Sequence, residues 1–189
     1  MEKSHKEKML AGELYRGGDP ELVRGQVHAQ TEMQRLNAMP AGDNEARLGL
    51  LRGFFKSFGE DAFVRSPFHC DYGYNISIGP RSFVNFGCVF LDCNEIRIGA
   101  DVQIAPGVHI YTATHPLDPA IRKSGLESAH PVVIEDNVWL GGGVILCPGV
   151  TIGKDTVVGA GSVVTRSLPP GVFAAGNPCR VIKSLSERA

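Results

Sequence analysis

The chain has 189 residues, 43% of them hydrophobic and 21% charged, with a formal net charge of −1. This composition supports one cored domain with a cap and gives no electrostatic case for binding nucleic acid. The five cysteines (Cys70, Cys88, Cys93, Cys147 and Cys179) share no metal-ligand spacing and read as buried, reduced thiols, and the absence of a signal peptide, acyl-anchor motif or long apolar run sets the expectation of a cytoplasmic protein that meets no membrane.

The first sixty residues read as helices. Ser4 to Glu13 forms a short one, broken at Gly17-Gly18. Asp19-Pro20-Glu21 then supplies an N-cap, a proline at the first helical position and an early acid, and Leu22, Gln26, Ala29, Met33 and Leu36 follow helical spacing up to the stop at Pro40-Ala41-Gly42. A third helix starts at Asp43 and carries Leu50, Leu51, Phe54, Phe55 and Phe58 on one apolar stripe. Together they make a cap over residues 1–59, whose stripes need a surface to cover.

Beyond residue 60 the period changes. From Ile134 an aliphatic residue recurs every sixth place, at Leu140, Leu146, Ile152, Val158 and Val164, with Val138, Val144, Val150, Thr156 and Ser162 four places after each of the first five. A helix needs a spacing near 3.6 and an amphipathic strand a spacing of 2, so this hexad suits a short strand plus a turn with one side chain inward. Tyr72, Ile78, Val84 and Phe90 keep the same step. The count then slips: Ile96 keeps the spacing while the register continues through Ile98, Ile104 and Ile110, which implies two extra residues bulging near residues 92–95. Over residues 111–133 the hexad vanishes into a polar, proline-bearing stretch (Pro116, Pro119, Pro131) that reads as an excursion loop. After residue 168, Pro169-Pro170 makes a turn, and residues 169–189 form a closing segment laid back along the coils. Four cations, Arg166, Arg180, Lys183 and Arg188, face only Glu187 there.

The run VWLGGGVILCPGVTIGKDTVVGAGSVVT, followed by PPGVFAAGNPCRVIK, resembles the hexapeptide-repeat acyltransferases, and within them the maltose and galactoside O-acetyltransferases. KEKMLAGELYRGGDPEL resembles the helical cap of that branch, so the likeness spans nearly the whole chain. The resemblance implies a mainly β fold, a left-handed parallel β-helix in which three hexads make one coil and residue i stacks under i+18, against the usual right-handed crossover. It further implies a homotrimer with active sites between subunits, acetyl-CoA as acetyl donor, a small sugar acceptor and no metal.

Site residues follow from that likeness together with their chemistry. His115, in Thr114-His115-Pro116, stands at the place of the family's catalytic histidine, and a neutral imidazole suits the removal of a hydroxyl proton. Asn85, in Val84-Asn85-Phe86, matches the asparagine that acts from the neighbouring subunit, where an amide donor faces the oxygen that gains charge. Asp71, Asp92 and Glu127 are candidates for acceptor binding because carboxylates accept from vicinal hydroxyls, and one of them, taken as Glu127, also serves the imidazole. Asp71 within CDYGYN is as in maltose-type enzymes and leans the acceptor toward glucose or maltose; the galactoside branch carries acids at the positions of Cys93 and Gly17, and whether Asp19 substitutes for the latter is open. Trp139, Gly142, Ala160, Thr165, Arg166, Arg180 and Lys183 match positions that meet the donor, with glycines and alanine admitting an extended pantetheine and cations suiting its phosphates. Cys147 follows inward Leu146 with no cationic neighbour in sequence and reads as a turn filler, so the expected route is direct transfer in a ternary complex.

Three other readings stand beside this one. A metal-dependent hydratase on the same fold needs an H-x-x-x-x-H pair, whereas His109 and His115 are six apart. A noncatalytic hexapeptide scaffold has no use for His115 with Asn85. A xenobiotic or Nod-factor-type O-acetyltransferase has no need of Asp71.

Overall fold

The computed structural model describes residues 3–185, so Glu187 and Arg188 of the terminal charge cluster lie outside the described residues. Three helices come first. Helix α1 (His5–Leu10) is closed by a capping box in which Ser4 accepts from the Glu7 N–H and the Glu7 carboxylate accepts from the Ser4 N–H. Helix α2 (Pro20–Ala38) starts at Asp19, and helix α3 (Asn44–Phe54) at Asp43, each aspartate accepting a backbone N–H of the first turn. The expected apolar stripe of α3 is cut short: Phe55 is already its extended C-cap, and Phe58 belongs to a strand, Ser57–Phe58. Leu22, Ala29, Met33 and Leu36 are the buried face of α2, while Gln26 is half-buried.

From Ser57 the chain winds a left-handed, three-sided prism of parallel sheets. The first face stacks Ser57–Phe58, Ile76–Ile78, Ile96–Ile98, Val132–Ile134 and Thr151–Ile152. The second stacks Phe63–Val64, Phe83–Val84, Gln103–Ile104, Trp139–Leu140, Val157–Val158 and Val172–Ala175, and Arg180–Ser184 pairs antiparallel on the last of these to close that end. The third stacks Phe68–Cys70, Cys88–Leu91, His109–Tyr111, Ile145–Leu146 and Val163–Val164. Each two-residue strand of the second face turns one side chain inward, so a column of Val64, Val84, Ile104, Leu140 and Val158 is buried along the prism, each side chain worth about 1.5–3 kcal/mol of transfer free energy.

The corners have their own logic. After the first face, Asp61, Arg81, Asp101, Asn137 and Asp155 stack in the left-handed region at φ 56–61°, four of the five being the Asp or Asn that tolerate it best. The coil pitch departs from eighteen residues where the sequence placed a single bulge. Ile134 pairs with Ile152, eighteen on, but Phe58 pairs with Ile78 and Ile78 with Ile98, each twenty on. Both early coils carry two extra residues after the third face, and Cys70, not Tyr72, is the residue in register with Phe90. Tyr72 instead packs with Met9, Tyr15, Leu22, Cys93 and Ala129 in a second core under the cap.

Candidate active site

The corner after the third face is where the prism is irregular in three coils running, and that irregularity gathers the acids. The first two lengthenings hold Asp71 and Asp92-Cys93; the third is the excursion itself. Residues 111–133 are not a bare loop. Ala113–Thr114 and Leu126–Ala129 form an antiparallel hairpin, with Ala113 opposite Ala129 and Thr114 opposite Ser128. Tyr15–Arg16 adds a third strand, placing Tyr15 opposite Glu127 across 112 residues of sequence. Helix α4 (Pro119–Lys123) forms the tip, with Asp118 accepting the N–H of Ala120 and Ile121. Arg122 ties the tip to the carbonyls of Pro116 and Leu117, and Arg16 donates to the Ser124 carbonyl at 2.8 Å.

His115 follows Thr114 directly and so comes level with Glu127. Its Nε2 is 3.8 Å from Glu127 Oε2, with the imidazole 62% exposed and the carboxylate 22% exposed. The pairing depends on a missing side chain: a Cβ on Gly17 would lie 2.3 Å from Glu127 Oε1. Asp71 stands next to this pair and accepts from the Cys93 thiol at 3.3 Å. Burial raises the Asp71 pKa and the nearby Glu127 charge raises it further, while the thiol lowers it. Burial likewise holds Cys93 well above the ordinary thiol range. Tyr15 is buried in the same cluster; its hydroxyl has no hydrogen-bond partner, with Cys93 and Glu127 its polar neighbours. Tyr15 was not visible as part of the site, because only strand pairing between cap and hairpin brings it there, and the resemblance marked Gly17 only as the place of a lost acid, not as the gap that admits Glu127.

Asp92 corrects an expectation. It is 0% exposed and cannot meet an acceptor. Its Oδ1 accepts the N–H of Asp71 at 3.0 Å and of Tyr72 at 2.8 Å, and its Oδ2 accepts that of Asn75 at 3.3 Å. Burial pushes its pKa up to about 7 against the pull of those three donors. Its part is to hold the bulged backbone on which Asp71 rides.

Most donor-side candidates lie on the second face or at the corner after it. Asn85 follows the second face, and the register stacks it with Ala105, Gly141, Gly159 and Ala175, a column of small residues that runs along the prism. Gly141 is required there, since a Cβ would come within 2.5 Å of the Ala160 nitrogen. Asn85 Oδ1 accepts from Arg65 at 3.2 Å and from the Phe86 N–H at 2.9 Å, and Arg65 lies over the Phe86 ring. Both bonds use the oxygen, so the amide NH2 has no partner among the described residues. Gly142 and Ala160 flank the column, and Trp139 stands out from the second face, 54% exposed, between Gln103 and Val157. Thr165 and Arg166 follow the last strand of the third face, while Arg180 and Lys183 sit on the closing strand; all four are exposed. The small-residue column, the exposed indole and the cations of the closing strand all lie on or beside the second face.

Neither Cys147 nor His109 hydrogen-bonds to the residues around His115. Cys147 is half-buried, its pKa raised by burial alone. His109 shares its Nδ1 with the Tyr111 hydroxyl at 2.5 Å. No group of three or more His, Cys, Asp or Glu among the described residues could hold a metal ion, and no described helix is long and apolar enough to cross a membrane.

Known proteins match this arrangement over its full extent. Residues 8–59 match the maltose acetyltransferase hexapeptide capping motif, and residues 131–166 the bacterial transferase hexapeptide of six repeats. Nodulation protein L of Rhizobium meliloti strain 1021 is 49% identical over 96% of the chain and 99% of its own length. A maltose O-acetyltransferase from Clostridium difficile 630 superposes with a TM-score of 0.96 at 48% identity, over 98% of this chain and 99% of that one. The chain belongs to the maltose/galactoside O-acetyltransferase family. A galactoside acetyltransferase in complex with coenzyme A superposes with a TM-score of 0.94 at 38% identity, over 97% of this chain and 92% of that one. The protein is accordingly an acyltransferase that uses acetyl-CoA.

Proposed function

We propose that this acetyltransferase moves the acetyl group to a hydroxyl of a sugar, of glucose or maltose type, by direct transfer with His115 as general base. The observation that carries the reading is the His115–Glu127 pair at 3.8 Å beside Asp71 on one irregular corner. An imidazole that takes the hydroxyl proton becomes a cation, and a carboxylate next to it favours that form. Asp71 accepts from acceptor hydroxyls. Acetyl-CoA supplies the activated carbonyl, and the column above Asn85, with Trp139, Gly142, Ala160, Thr165, Arg166, Arg180 and Lys183, is suited to hold it. The free NH2 of Asn85 suits the carbonyl oxygen as it gains negative charge.

Asn85 and His115 leave different corners of one prism, so their cooperation calls for a second copy whose Asn85 corner faces the His115 corner of the first. A homotrimer closed by a three-fold axis satisfies this at three equivalent seams. A cytoplasmic location suits five reduced thiols and an acetyl-CoA donor. The similarity to nodulation protein L favours one second reading, a Nod-factor-type acceptor on the same site.

The test is free-CoA release with glucose, maltose, a thiogalactoside, a chitin oligomer and an antibiotic as acceptors, for the native enzyme and His115→Ala. Loss of a positioned base predicts a fall of about 10²–10⁴-fold in kcat with folding intact. Equal activity in the variant would end the assignment of His115, and a preference for the chitin oligomer over glucose and maltose would move the acceptor to the second reading.

A further inference from the structure

Helix α2 carries Gln26, Gln30 and Gln34 at every fourth position, which puts three amides in one row on one face. At a rise of about 1.5 Å per residue the row is about 12 Å long. Its direction is set at both ends. Asn37, one turn past Gln34, donates to the Phe68 carbonyl and accepts the Phe68 N–H, both at 2.9 Å, pinning that end of α2 to the first strand of the third face. At the other end Gly25 sits so close to Tyr72 that a Cβ would be 3.0 Å from the ring. The row therefore runs alongside residues 68–72, the strand that delivers Asp71 to the active site.

Between helix and strand is a cavity of about 640 Å³ lined by Gln30, Met33, Gln34, Asn37, His69 and Cys70. That volume falls within the range of ordinary small-molecule pockets. Gln30, Gln34 and His69 are exposed, and their side chains have no hydrogen-bond partner among the described residues. Amides donate and accept at once, which matches vicinal hydroxyls, and Met33 and Cys70 offer an apolar floor for the C–H face of a ring. The lining holds no carboxylate, lysine or arginine, so it selects for an uncharged ligand. The cavity wall ends at Cys70, immediately before Asp71.

Resting on the sugar-acceptor reading, we infer that this groove is a distal acceptor subsite for the non-reacting end of a linear, uncharged oligosaccharide whose reacting ring lies at Asp71 and His115. The enzyme then prefers a trisaccharide to a monosaccharide, and the preference resides in Gln30 and Gln34.

The experiment compares glucose, maltotriose and chitotriose as acceptors for the native enzyme and the double variant Gln30→Ala/Gln34→Ala, with calorimetric titration of the two trisaccharides into each protein. Two exposed glutamines on a helix surface leave folding unchanged when truncated. Loss of two neutral hydrogen bonds predicts about a tenfold rise in KM and Kd for one trisaccharide at least, with kcat for it and kcat/KM for glucose within about twofold of native. Trisaccharide and glucose constants that all stay unchanged, as for a merely solvated helix face, would overturn the subsite, and so would equal losses for both. In either case the sugar reading stands, because the native enzyme still acetylates sugars. No transfer to any of the three by the native enzyme would instead overturn the sugar reading and the subsite with it.

Discussion

Replacing Gly17 by alanine puts a methyl group where the Glu127 carboxylate now rests, 2.3 Å from Oε1 and 3.1 Å from Cδ. The backbone at Gly17 is not in the left-handed region, so alanine adds no torsional strain and the contact alone decides the outcome. The obstructed atoms are the far end of a flexible side chain, which can swing away at a cost of about 0.5–1.5 kcal/mol in rotamer energy. The lower entropy of the unfolded chain with alanine returns about 0.4–1 kcal/mol. Stability should therefore change by less than about 1 kcal/mol, or at most about 4 °C in Tm. The effect on the imidazole is larger. At the present 3.8 Å, a carboxylate favours an imidazolium by about 4.4 kcal/mol with an effective dielectric of about 20, and at about 6 Å by about 2.8 kcal/mol. The difference of about 1.6 kcal/mol is an upper bound because the imidazole is 62% exposed; screening to a third of it leaves about 0.5 kcal/mol. The expected fall in acceptor kcat/KM is thus about 2- to 15-fold, with KM for acetyl-CoA unchanged, measured by free-CoA release. In a Glu127→Ala background the same substitution should do nothing further. A full-sized loss in that background, or none in the native one, would refute the coupling of Gly17 to His115 through Glu127.

Asp92→Asn keeps the shape but sets an amide NH2 against the Asn75 N–H, leaving a buried donor opposed. A cost of about 1–3 kcal/mol follows, seen as a Tm lower by about 2–12 °C at fixed protein concentration. The native Asp92 also sets a pH slope: with its folded pKa raised to about 7, the folded state holds more protons than the unfolded one from the ordinary carboxylate range up to that value. Its contribution to stability is therefore greatest in acid and is lost as pH rises toward 7, and a plot of Tm against pH for Asp92→Asn should lack that component. Tyr15→Phe removes a buried hydroxyl that has no partner, so differential scanning calorimetry should give an unchanged or higher Tm, by up to about 1 kcal/mol in stability. A Tm lower by more than a few degrees would mean that the hydroxyl is bonded in the native fold.

Much of the prism could be read in advance because its signal is local. Ile134, Leu140, Leu146, Ile152, Val158 and Val164 recur at six-residue steps, and the structure stacks them as three inward columns over eighteen-residue coils. The helix starts at Asp19 and Asp43 were legible for the same reason, since a cap and its N–H partners are neighbours in the chain. The early coils were harder. Their two additional residues fall at a corner, where polar side chains follow no period, and Tyr72 mimicked an inward residue that is in fact Cys70. Phe58 likewise continued the helical stripe in spacing, and packing placed it on a strand instead.

What the residues determined by themselves was the repeat, the order of cap and coils, and the family likeness that singled out His115 and Asn85. The tertiary structure decided which acids count: Asp92 is buried under three backbone N–H groups, while Glu127 reaches His115 because Tyr15–Arg16 pairs with the hairpin and Gly17 leaves room. Periodicity reports which side of its own strand a residue faces. It carries no information on which distant strand comes to lie beside it, and that register, set by the packing of the cap on the excursion, is what assembles the site.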